Sequence, residues 1–437
     1  MMEYISNILF SILLIVSFGF FVKNIYRIKR NINLGNDIDR TDNQKERWGN
    51  MIRIALGQSK MVRRPVSGFL HVIVYVGFII INIEVLEIIL DGVLGTHRLF
   101  LPLLGEGIYG FLIATFEILA LLVLISVILF WTRRNIIKIK RFWSKEMTSW
   151  PKNDGNIILY FEIILMSLFL IMNATDIHFQ EANIGNSISQ FLSPLFSSLS
   201  ADSLHLIERT AWWIHICGIF AFLNYLYFSK HLHILLAFPN TFYANLEVKG
   251  KFVNSAAVTK EVQTMMDPNA DPYAVPEETE GEPEKFGASD VTDLNWVQLM
   301  NAYTCTECGR CTSVCPASQT GKELSPRAIM MKTRDRLEEV GRNIDKNKGV
   351  FQDDGKQLLG EEYITQEEIW ACTSCNACVE ECPLNIDPLS IIMDIRQYLV
   401  MEESAAPQEL NSMMGNIENN GAPWPYNQMD RLNWKDE

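Results

Sequence analysis

Five long apolar stretches in the first 240 residues restrict the fold of this chain more than any other feature of its sequence. They lie at about 4–26, 66–90, 108–132, 156–176 and 209–231. A helix that crosses a hydrocarbon core of about 30 Å needs about 20 apolar residues, and each stretch reaches that length. Because lipid offers no hydrogen-bond partners to the backbone, stretches of this kind predict membrane-spanning helices. The first stretch, which begins MMEYISNILF, has no basic segment or cleavage site before it and is interpreted as an anchor.

Basic residues predict the orientation of these helices. They are concentrated in the loop after the first stretch (23–64) and in the loop after the third (133–152), whereas the other two loops hold almost none beyond Arg98. Lys and Arg are enriched in cytoplasmic loops. We therefore expect a multi-pass protein of a bacterial cytoplasmic membrane, with its N-terminus outside and everything after the fifth stretch in the cytoplasm.

Two cysteine runs, CTECGRCTSVCP and CTSCNACVEECP, contain eight of the nine cysteines. Each has the form C-x2-C-x2-C-x3-C-P, the run of two-cluster ferredoxins in which the fourth cysteine ligates the other cluster. Structural zinc sites use paired C-x2-C arms and lack the third cysteine and the closing C-P, so the pattern favours iron over zinc. The sequence predicts two [4Fe-4S] clusters, one held by Cys305, Cys308, Cys311 and Cys382 and the other by Cys372, Cys375, Cys378 and Cys315.

Helix signals surround both runs and predict an all-α fold for the second half. Ser325 and Pro326 have the types of an N-cap and a first helical residue. Thr365 with Glu368 forms a capping box, and a further helix is expected to begin after Asp387. We predict four segments: a bundle of five membrane helices (1–240), an acidic Pro-rich linker (241–294), an α-helical dicluster ferredoxin domain (295–400) and a C-terminal partner-docking tail (401–437).

Charge and composition exclude one class of partner. The net charge is −13, and the polar second half supplies most of the acidic excess, which argues against a nucleic-acid-binding protein. The tail contains Trp424, Tyr426 and Trp434, rigid aromatics of the kind that anchor protein interfaces. Packing of the tail on its own domain is the alternative.

Histidines near the bilayer surfaces are candidate haem ligands. His215 and His233 are 18 residues apart, which in one continuous helix is five turns, one shared face and a separation of about 27 Å. His231 would then point about 200° away from His215. His71 begins the second stretch at about the depth of His233, and two imidazoles on different helices are the usual axial ligands of a b-type haem. Interfacial histidines that bond to carbonyls or lipid head groups are the alternative.

His215, near the outer surface, lacks an evident partner: the candidates are His178, at the outer end of the fourth stretch, and His97 in the outer loop. Three glutamates, Glu84, Glu117 and Glu162, fall within the spans. Ionisable residues there are functional candidates. They fit a proton path linked to quinol chemistry, and they fit a buried hydrogen bond between helices equally well.

The fifth stretch, which ends in FSKHLHI with another histidine 18 positions before its last one, resembles the final span of the nitrate reductase gamma subunit and its five-span relatives. The resemblance implies that residues 1–240 form a cytochrome b-like bundle and that His71 and His233 ligate haem b on its cytoplasmic side. In that family the equivalent of His215 holds an outer haem together with a second histidine ten residues after the first. Here that position is Ile81, so the outer haem lacks one ligand.

The cysteine-rich half resembles the C subunit of heterodisulfide reductase. The partners this implies are a cytoplasmic subunit with CCG motifs (heterodisulfide reductase B-like), an electron-transfer flavoprotein, and quinone in the bilayer. The chain has no CCG motif of its own and no evident substrate-transforming site. We therefore predict a membrane-bound subunit that passes electrons between such a partner and quinone, in either direction. The alternative is a membrane-tethered ferredoxin adaptor without haem or quinone chemistry.

Overall fold

The computed structural model describes residues 5–248, 250–252, 254, 256–268 and 285–436. These residues are mostly helical, and within them there is no β-strand, only isolated bridges between Asn36 and Asn295 and between Leu359 and Ile364. The predicted all-α class is therefore confirmed. Part of the predicted acidic linker, including residues 269–284, lies outside the described residues.

The helices of the first half include five that are long and apolar enough to cross a membrane, which confirms the predicted number. They begin at Ile5, Pro65, Phe100, Ser149 and Ala201, and the last of them is continued by a 3-10 turn at Leu226–Phe228. In chain order the helices are α1 (Ile5–Ile32), α2 (Gln44–Met51), α3 (Pro65–Leu94), α4 (Phe100–Asn135), α5 (Ser149–Thr175), α6 (Ile177–Ala182), α7 (Ser189–Leu192), α8 (Ala201–Tyr225) and α9 (His233–Phe242).

The five long helices form a bundle in which α5 packs against α8, α4 lies between α3 and α5, and α1 leans on α3 and α8. Their shared core contains fully buried Phe10, Ile113, Phe169 and Ile216. Ile12, Ile15 and Val16 on the opposite side of α1 are exposed. Outward apolar side chains of this kind are costly in water and favourable in lipid, so the bundle has the surface that a bilayer requires.

The fifth membrane helix does not continue to His233, so the prediction that His215 and His233 share one face of one helix is wrong. Helix α8 ends at Tyr225, and Ser229 is extended, with φ −110° and ψ 158°. Asp154 of α5 holds this break: it accepts hydrogen bonds from the Tyr225 hydroxyl at 2.6 Å and from the Lys230 backbone N–H at 3.0 Å. Ser229 then caps a new 3-10 turn, Lys230–Leu232, by accepting a hydrogen bond from the His231 N–H.

The second half is a set of shorter helices. They are α10 (Ala256–Met266), α11 (Trp296–Thr304), α12 (Arg310–Val314), α13 (Pro316–Gln319), α14 (Pro326–Lys346), α15 (Gln366–Trp370), α16 (Ala377–Glu381), α17 (Pro388–Met401) and α18 (Gln408–Asn420). The predicted caps are confirmed: Ser325 caps α14, Thr365 and Glu368 form the capping box of α15, and Asp387 caps α17.

Packed structure around the cysteine runs begins before residue 295. Ala288, Val291 and Leu294 are buried in the core of this half, whereas the sequence predicted a linker up to residue 294. The same core takes in Ile28 and Leu232 from the membrane half. The two halves are therefore joined by shared apolar packing at one end of the bundle. The tail beyond residue 407 differs, because α18 and the 3-10 helix Gln428–Lys435 contain no buried residue.

Candidate iron-sulfur and haem sites

The first group of thiols comes from both cysteine runs. Cys305 and Cys308 lie between α11 and α12, Cys311 lies within α12, and all three line one small cavity together with Cys382 and Cys378. The thiols of Cys308 and Cys382 are within electrostatic range of Cys305. The structure therefore brings together the four residues predicted for the first cluster, three from one run and the fourth from the other.

The second group has the complementary composition. Cys315 lies within electrostatic range of Cys372 and Cys378, and Cys375 lies within range of Cys372. Cys375 is exposed, whereas Cys305 and Cys315 are buried. The second group is thus the one that reaches the protein surface.

Both runs have the same backbone conformation. In each, the second and fourth residues after the first cysteine have positive φ: Glu307 (53°) and Gly309 (69°) in the first run, Ser374 (55°) and Asn376 (60°) in the second. Left-handed residues turn successive N–H groups toward the concave side of a loop, which favours a bound anion. In the second run the Ser374 N–H donates to the Cys372 Sγ at 3.4 Å. A cluster with four thiolates is anionic, so the loop geometry fits this ligand.

Burial makes the free thiols poor anions. It raises the pKa of Cys305 to about 12 and that of Cys382 to about 11. Thiolates in such surroundings need a positive metal centre for their stabilisation, because ligation and deprotonation are linked. Their burial and raised pKa are typical of metal ligands and not of exposed redox-active thiols.

Glu307 connects the first cysteine run to the membrane half. Its carboxylate accepts from the Lys230 ammonium at 2.5 Å and lies 2.9 Å from Arg334. Burial opposes ionisation of this carboxyl, but the two cations hold its pKa below the usual value. The run is thereby fixed against the segment that precedes His233.

Arg310 makes a second connection from the same run. This buried guanidinium donates to the carbonyls of Lys60 and Met61, at 3.1 and 3.2 Å, in the loop that leads into α3. It is also within electrostatic range of His71 at the start of α3. The first thiol group therefore adjoins both histidines that were predicted to hold the inner haem.

His71, His231 and His233 are close to one another. The rings of His231 and His233 stack at a centroid distance of 5.5 Å and an interplanar angle of 6°, and His71 is within electrostatic range of both. The prediction that His231 points away from this site is wrong, because it assumed a continuous helix through Ser229.

His71 and His233, the two predicted haem ligands, differ in the hydrogen bonding of their rings. The Nδ1 of His233 bonds to the Lys230 carbonyl at 3.0 Å. This contact favours the tautomer with the proton on Nδ1 and leaves Nε2 free as a metal ligand. The Nδ1 of His71 is buried without a hydrogen-bond partner, which is costly in a bare protein.

His215 lies farther along α8 and hydrogen-bonds to the backbone of Leu165. It is 2% exposed on α8, its ring lies 6.2 Å from that of Phe169, and its Nδ1 has no hydrogen-bond partner. His97, one of its predicted partners, pairs with Asp176 at 3.3 Å, and His178 is exposed. Neither contact identifies His97 or His178 as a second axial ligand. Ile81, at the position where the resembled family has a histidine, is part of the apolar core.

Glu117 and Glu84, two of the three glutamates within the spans, differ in their contacts. Glu117 accepts hydrogen bonds from Asn173 at 3.0 Å and from the backbone N–H groups of Ile188 and Ser189 at 2.7 and 3.0 Å. It therefore serves as a buried connection between helices, one of its two predicted alternatives. Glu84 is buried with an oxygen that has no hydrogen-bond partner.

Residues 301–386 match the family model of the 4Fe-4S dicluster domain. This part of the chain is a dicluster domain. It contains both thiol groups, so iron-sulfur binding is the property that the match supports directly.

Curated relatives extend the similarity into the membrane half. The chain is 29% identical over 414 residues to the Bacillus subtilis protein named "Probable iron-sulfur-binding oxidoreductase FadF", which covers 87% of this chain and 54% of that protein. It is 25% identical to the Syntrophomonas wolfei protein named "EtfAB:quinone oxidoreductase", over 92% of this chain and 55% of the relative. A heterodisulfide reductase C-like protein of Archaeoglobus profundus is 26% identical over 29% of this chain and 54% of its own length.

The chain thus spans about half the length of the first two relatives. No solved structure matches it. The expected resemblance to heterodisulfide reductase is confirmed, and the apolar helices lie before the dicluster domain as predicted.

Sequence reasoning missed the residues that attach the dicluster domain to the membrane half. From the sequence alone, Glu307 and Arg310 occupy unspecified x positions of the C-x2-C spacing, and Lys230 is one basic residue near the end of the fifth stretch. A charged residue inside a tightly spaced cysteine run could have indicated such a contact. Its side chain must lie close to the cluster, and a charge there is more in need of a partner than a charge on an ordinary surface. Its partner could not be found from sequence, since Lys230 and Glu307 are separated by 77 residues.

Proposed function

We propose that this chain is the membrane-bound electron-transfer subunit of an oxidoreductase, and that it passes electrons between a cytoplasmic redox partner and quinone in the bilayer. Two [4Fe-4S] clusters and one haem b supply the one-electron carriers when bound. The observation that supports the proposal most strongly is the junction at Lys230, whose ammonium binds Glu307 in the first cysteine run and whose carbonyl bonds to His233.

The proposed ligands follow the grouping of the side chains. Cys305, Cys308, Cys311 and Cys382 hold the first cluster, and Cys372, Cys375, Cys378 and Cys315 hold the second. His71 and His233 are the axial ligands of the haem. The stacked position of His231 orients the His233 ring, and the Lys230 carbonyl fixes its tautomer.

The exposed second thiol group is the proposed site of exchange with the partner. Cys375 lies at the surface, whereas the first group faces the membrane half, so electrons enter or leave through the second group. We propose a CCG-type subunit like heterodisulfide reductase B, or an electron-transfer flavoprotein, as the partner. The name of the Syntrophomonas wolfei relative joins EtfAB to quinone and supports this choice.

The C-terminal tail is the proposed docking element. Trp424 and Trp434 are 59% and 69% exposed, and Met429 is 86% exposed. Large apolar side chains without cover are typical of surfaces that are buried in a complex.

The proposed orientation places the N-terminus outside a bacterial cytoplasmic membrane and the dicluster domain in the cytoplasm. Both basic loops contact the dicluster domain: Arg64 pairs with Glu381, and Arg327 donates to the Arg141 carbonyl at 2.7 Å. The basic loops predict which end of the bundle faces the cytoplasm, and the thiol groups lie at that same end. Thiolate chemistry suits a reducing compartment, so the two arguments agree.

A reduced-minus-oxidised absorbance spectrum of the purified full-length chain tests the proposal. We expect the bands of a b-type haem, and their loss in His71→Ala and His233→Ala with the iron-sulfur content unchanged. A porphyrin-free protein that contains only iron-sulfur clusters would overturn the haem and quinone roles. That result would leave the membrane-tethered ferredoxin adaptor as the function.

A further inference from the structure

A polar cavity lies at the end of the helical bundle opposite the dicluster domain. It is lined by the start of α1, the ends of α3 and α5, the loop after α3 and the start of α8. Glu84 of α3 forms part of its wall, one to two turns deeper than Glu87 and Asp91. Aromatic rings of Phe10, Trp212 and Trp213 border the same space.

The other carboxylates of the cavity have hydrogen-bond donors. Glu87 accepts from the Phe100 N–H at 2.8 Å and from the Tyr109 hydroxyl at 3.1 Å. Asp91 accepts from the Arg98 N–H at 2.8 Å, Asp176 pairs with the Arg98 guanidinium at 3.1 Å, and Glu208 pairs with Arg209. These contacts compensate their negative charges and fix the shape of the cavity.

Glu84 lacks such compensation. It is 4% exposed, and its Oε2 is buried without a hydrogen-bond partner. Glu87, Asp91 and Glu117 are acidic groups within electrostatic range of Glu84, and Arg98 is a cation within range. Arg98 already binds Asp176, Asn173 and the Tyr109 hydroxyl. An ionised carboxylate at this position would be buried, unbonded and surrounded by like charge, which is strongly unfavourable.

We propose that Glu84 is a proton-binding site that exchanges protons with the medium through this cavity, on the side of the membrane opposite the dicluster domain. The neutral carboxyl removes the cost of the buried charge, and the polar cavity wall provides the path for the proton. The proposal does not depend on the identity of the electron carriers. It also distinguishes Glu84 from Glu117, whose two oxygens both accept hydrogen bonds, three in all.

Covalent labelling of the full-length chain with dicyclohexylcarbodiimide tests the proposal. This apolar reagent reacts with protonated carboxyls: the carboxyl proton moves to a reagent nitrogen, the carboxyl oxygen bonds to the central carbon, and rearrangement leaves a stable N-acylurea. We expect mass spectrometry to find this adduct on Glu84, with a yield that falls as pH rises, and no adduct on Glu117 in the same digest. Absence of the Glu84 adduct, or a yield independent of pH, would overturn the proposal.

Two Glu84 variants and a reagent that reaches only one side of the membrane make the labelling test more specific. Glu84→Gln should abolish the adduct, whereas Glu84→Asp should retain it because the carboxyl is kept. A membrane-impermeant, cationic carbodiimide added to sealed vesicles of known orientation should label Glu84 only when the side opposite the dicluster domain is exposed to reagent. Labelling from the dicluster side alone would overturn the assigned path. None of these readouts requires haem or clusters, so the outcome is distinct from that of the electron-transfer proposal.

Discussion

Glu307 and Lys230 form a buried ion pair with an N–O distance of 2.5 Å, although they belong to different halves of the protein. The glutamate lies between Cys305 and Cys308, and the carbonyl of the lysine bonds to His233. The lysine side chain is 12% exposed and the glutamate side chain 2%. The pair therefore sets the position of the first cysteine run relative to the proposed haem ligand.

Replacement of Glu307 by Gln should weaken this junction. Removal of one partner from a buried ion pair costs about 3–5 kcal/mol where the other charge is left uncompensated. Asp154 lies 3.7 Å from Lys230 and keeps part of the compensation, so we expect a smaller cost here. We expect faster hydrogen exchange in the segment 305–311 and in α9, and slower reduction of the haem through the clusters. Glu323→Gln is the matched control, because Glu323 pairs with Lys145 across the same two halves but with both side chains exposed, where the expected effect is below about 1 kcal/mol. Equal effects of the two variants would contradict the role assigned to Glu307.

Acid should loosen the same junction. The pKa values of Glu307 and Glu146 are held below the usual 4.5: burial opposes this shift in both, and the neighbouring cations, Lys230 and Arg327 respectively, outweigh it. Because ionisation is easier in the folded state, the ion pairs stabilise the structure above about pH 4.5, and this contribution is lost as pH falls through the folded pKa. Hydrogen exchange in α9, corrected for intrinsic rates, should accelerate on acidification, and less so in Glu307→Gln.

Crossed ligation predicts which cluster each cysteine variant loses. Cys382→Ser should remove the first cluster, although it lies in the second run, and Cys315→Ser should remove the second. Each variant should retain about half of the cluster iron. Electron paramagnetic resonance of the reduced protein distinguishes the remaining centres, with Cys308→Ser and Cys375→Ser as references. If Cys382→Ser gave the spectrum of Cys375→Ser, ligation within each run would be indicated instead.

Gly309→Ala should damage the first cluster site. Gly309 has φ +69°, and a Cβ there would lie 2.6 Å from the Arg327 Nη1. Left-handed backbone alone costs an alanine about 1–2 kcal/mol, and displacement of Arg327 adds to this cost. Gly321→Ala is the control, since Gly321 has φ +84° but no atom near its Cβ position. Iron content and the rate of heat-induced cluster loss should change more in Gly309→Ala than in the control.

The roles of the histidines can be separated by spectroscopy. His233→Ala should abolish the haem signal because it removes a proposed ligand. His231→Ala should keep the haem but alter its spectrum, since the stacked neighbour of His233 is lost. His215→Ala should leave the inner haem unchanged. Loss of haem in His231→Ala with retention in His233→Ala would reverse the ligand assignment.

The sequence by itself determined the features that depend on local pattern. The length of the apolar stretches predicted the five membrane helices. The capping residues Ser325, Thr365 and Asp387 predicted where three helices begin. The cysteine spacing identified the dicluster domain. Each of these signals resides within a short continuous segment of the chain, so no knowledge of the tertiary fold was needed.

Tertiary structure alone decided how these parts meet. Asp154 ends α8 by bonding to the backbone of Lys230, 76 positions away, and this break brings His231 beside His233. The same holds for the contrast between Glu84 and Glu117: both are glutamates in apolar helices, but Glu117 meets the N–H groups of Ile188 and Ser189 whereas Glu84 meets a cavity. Whether a buried charge is compensated depends on groups that are distant in the chain, and a local sequence pattern does not specify them.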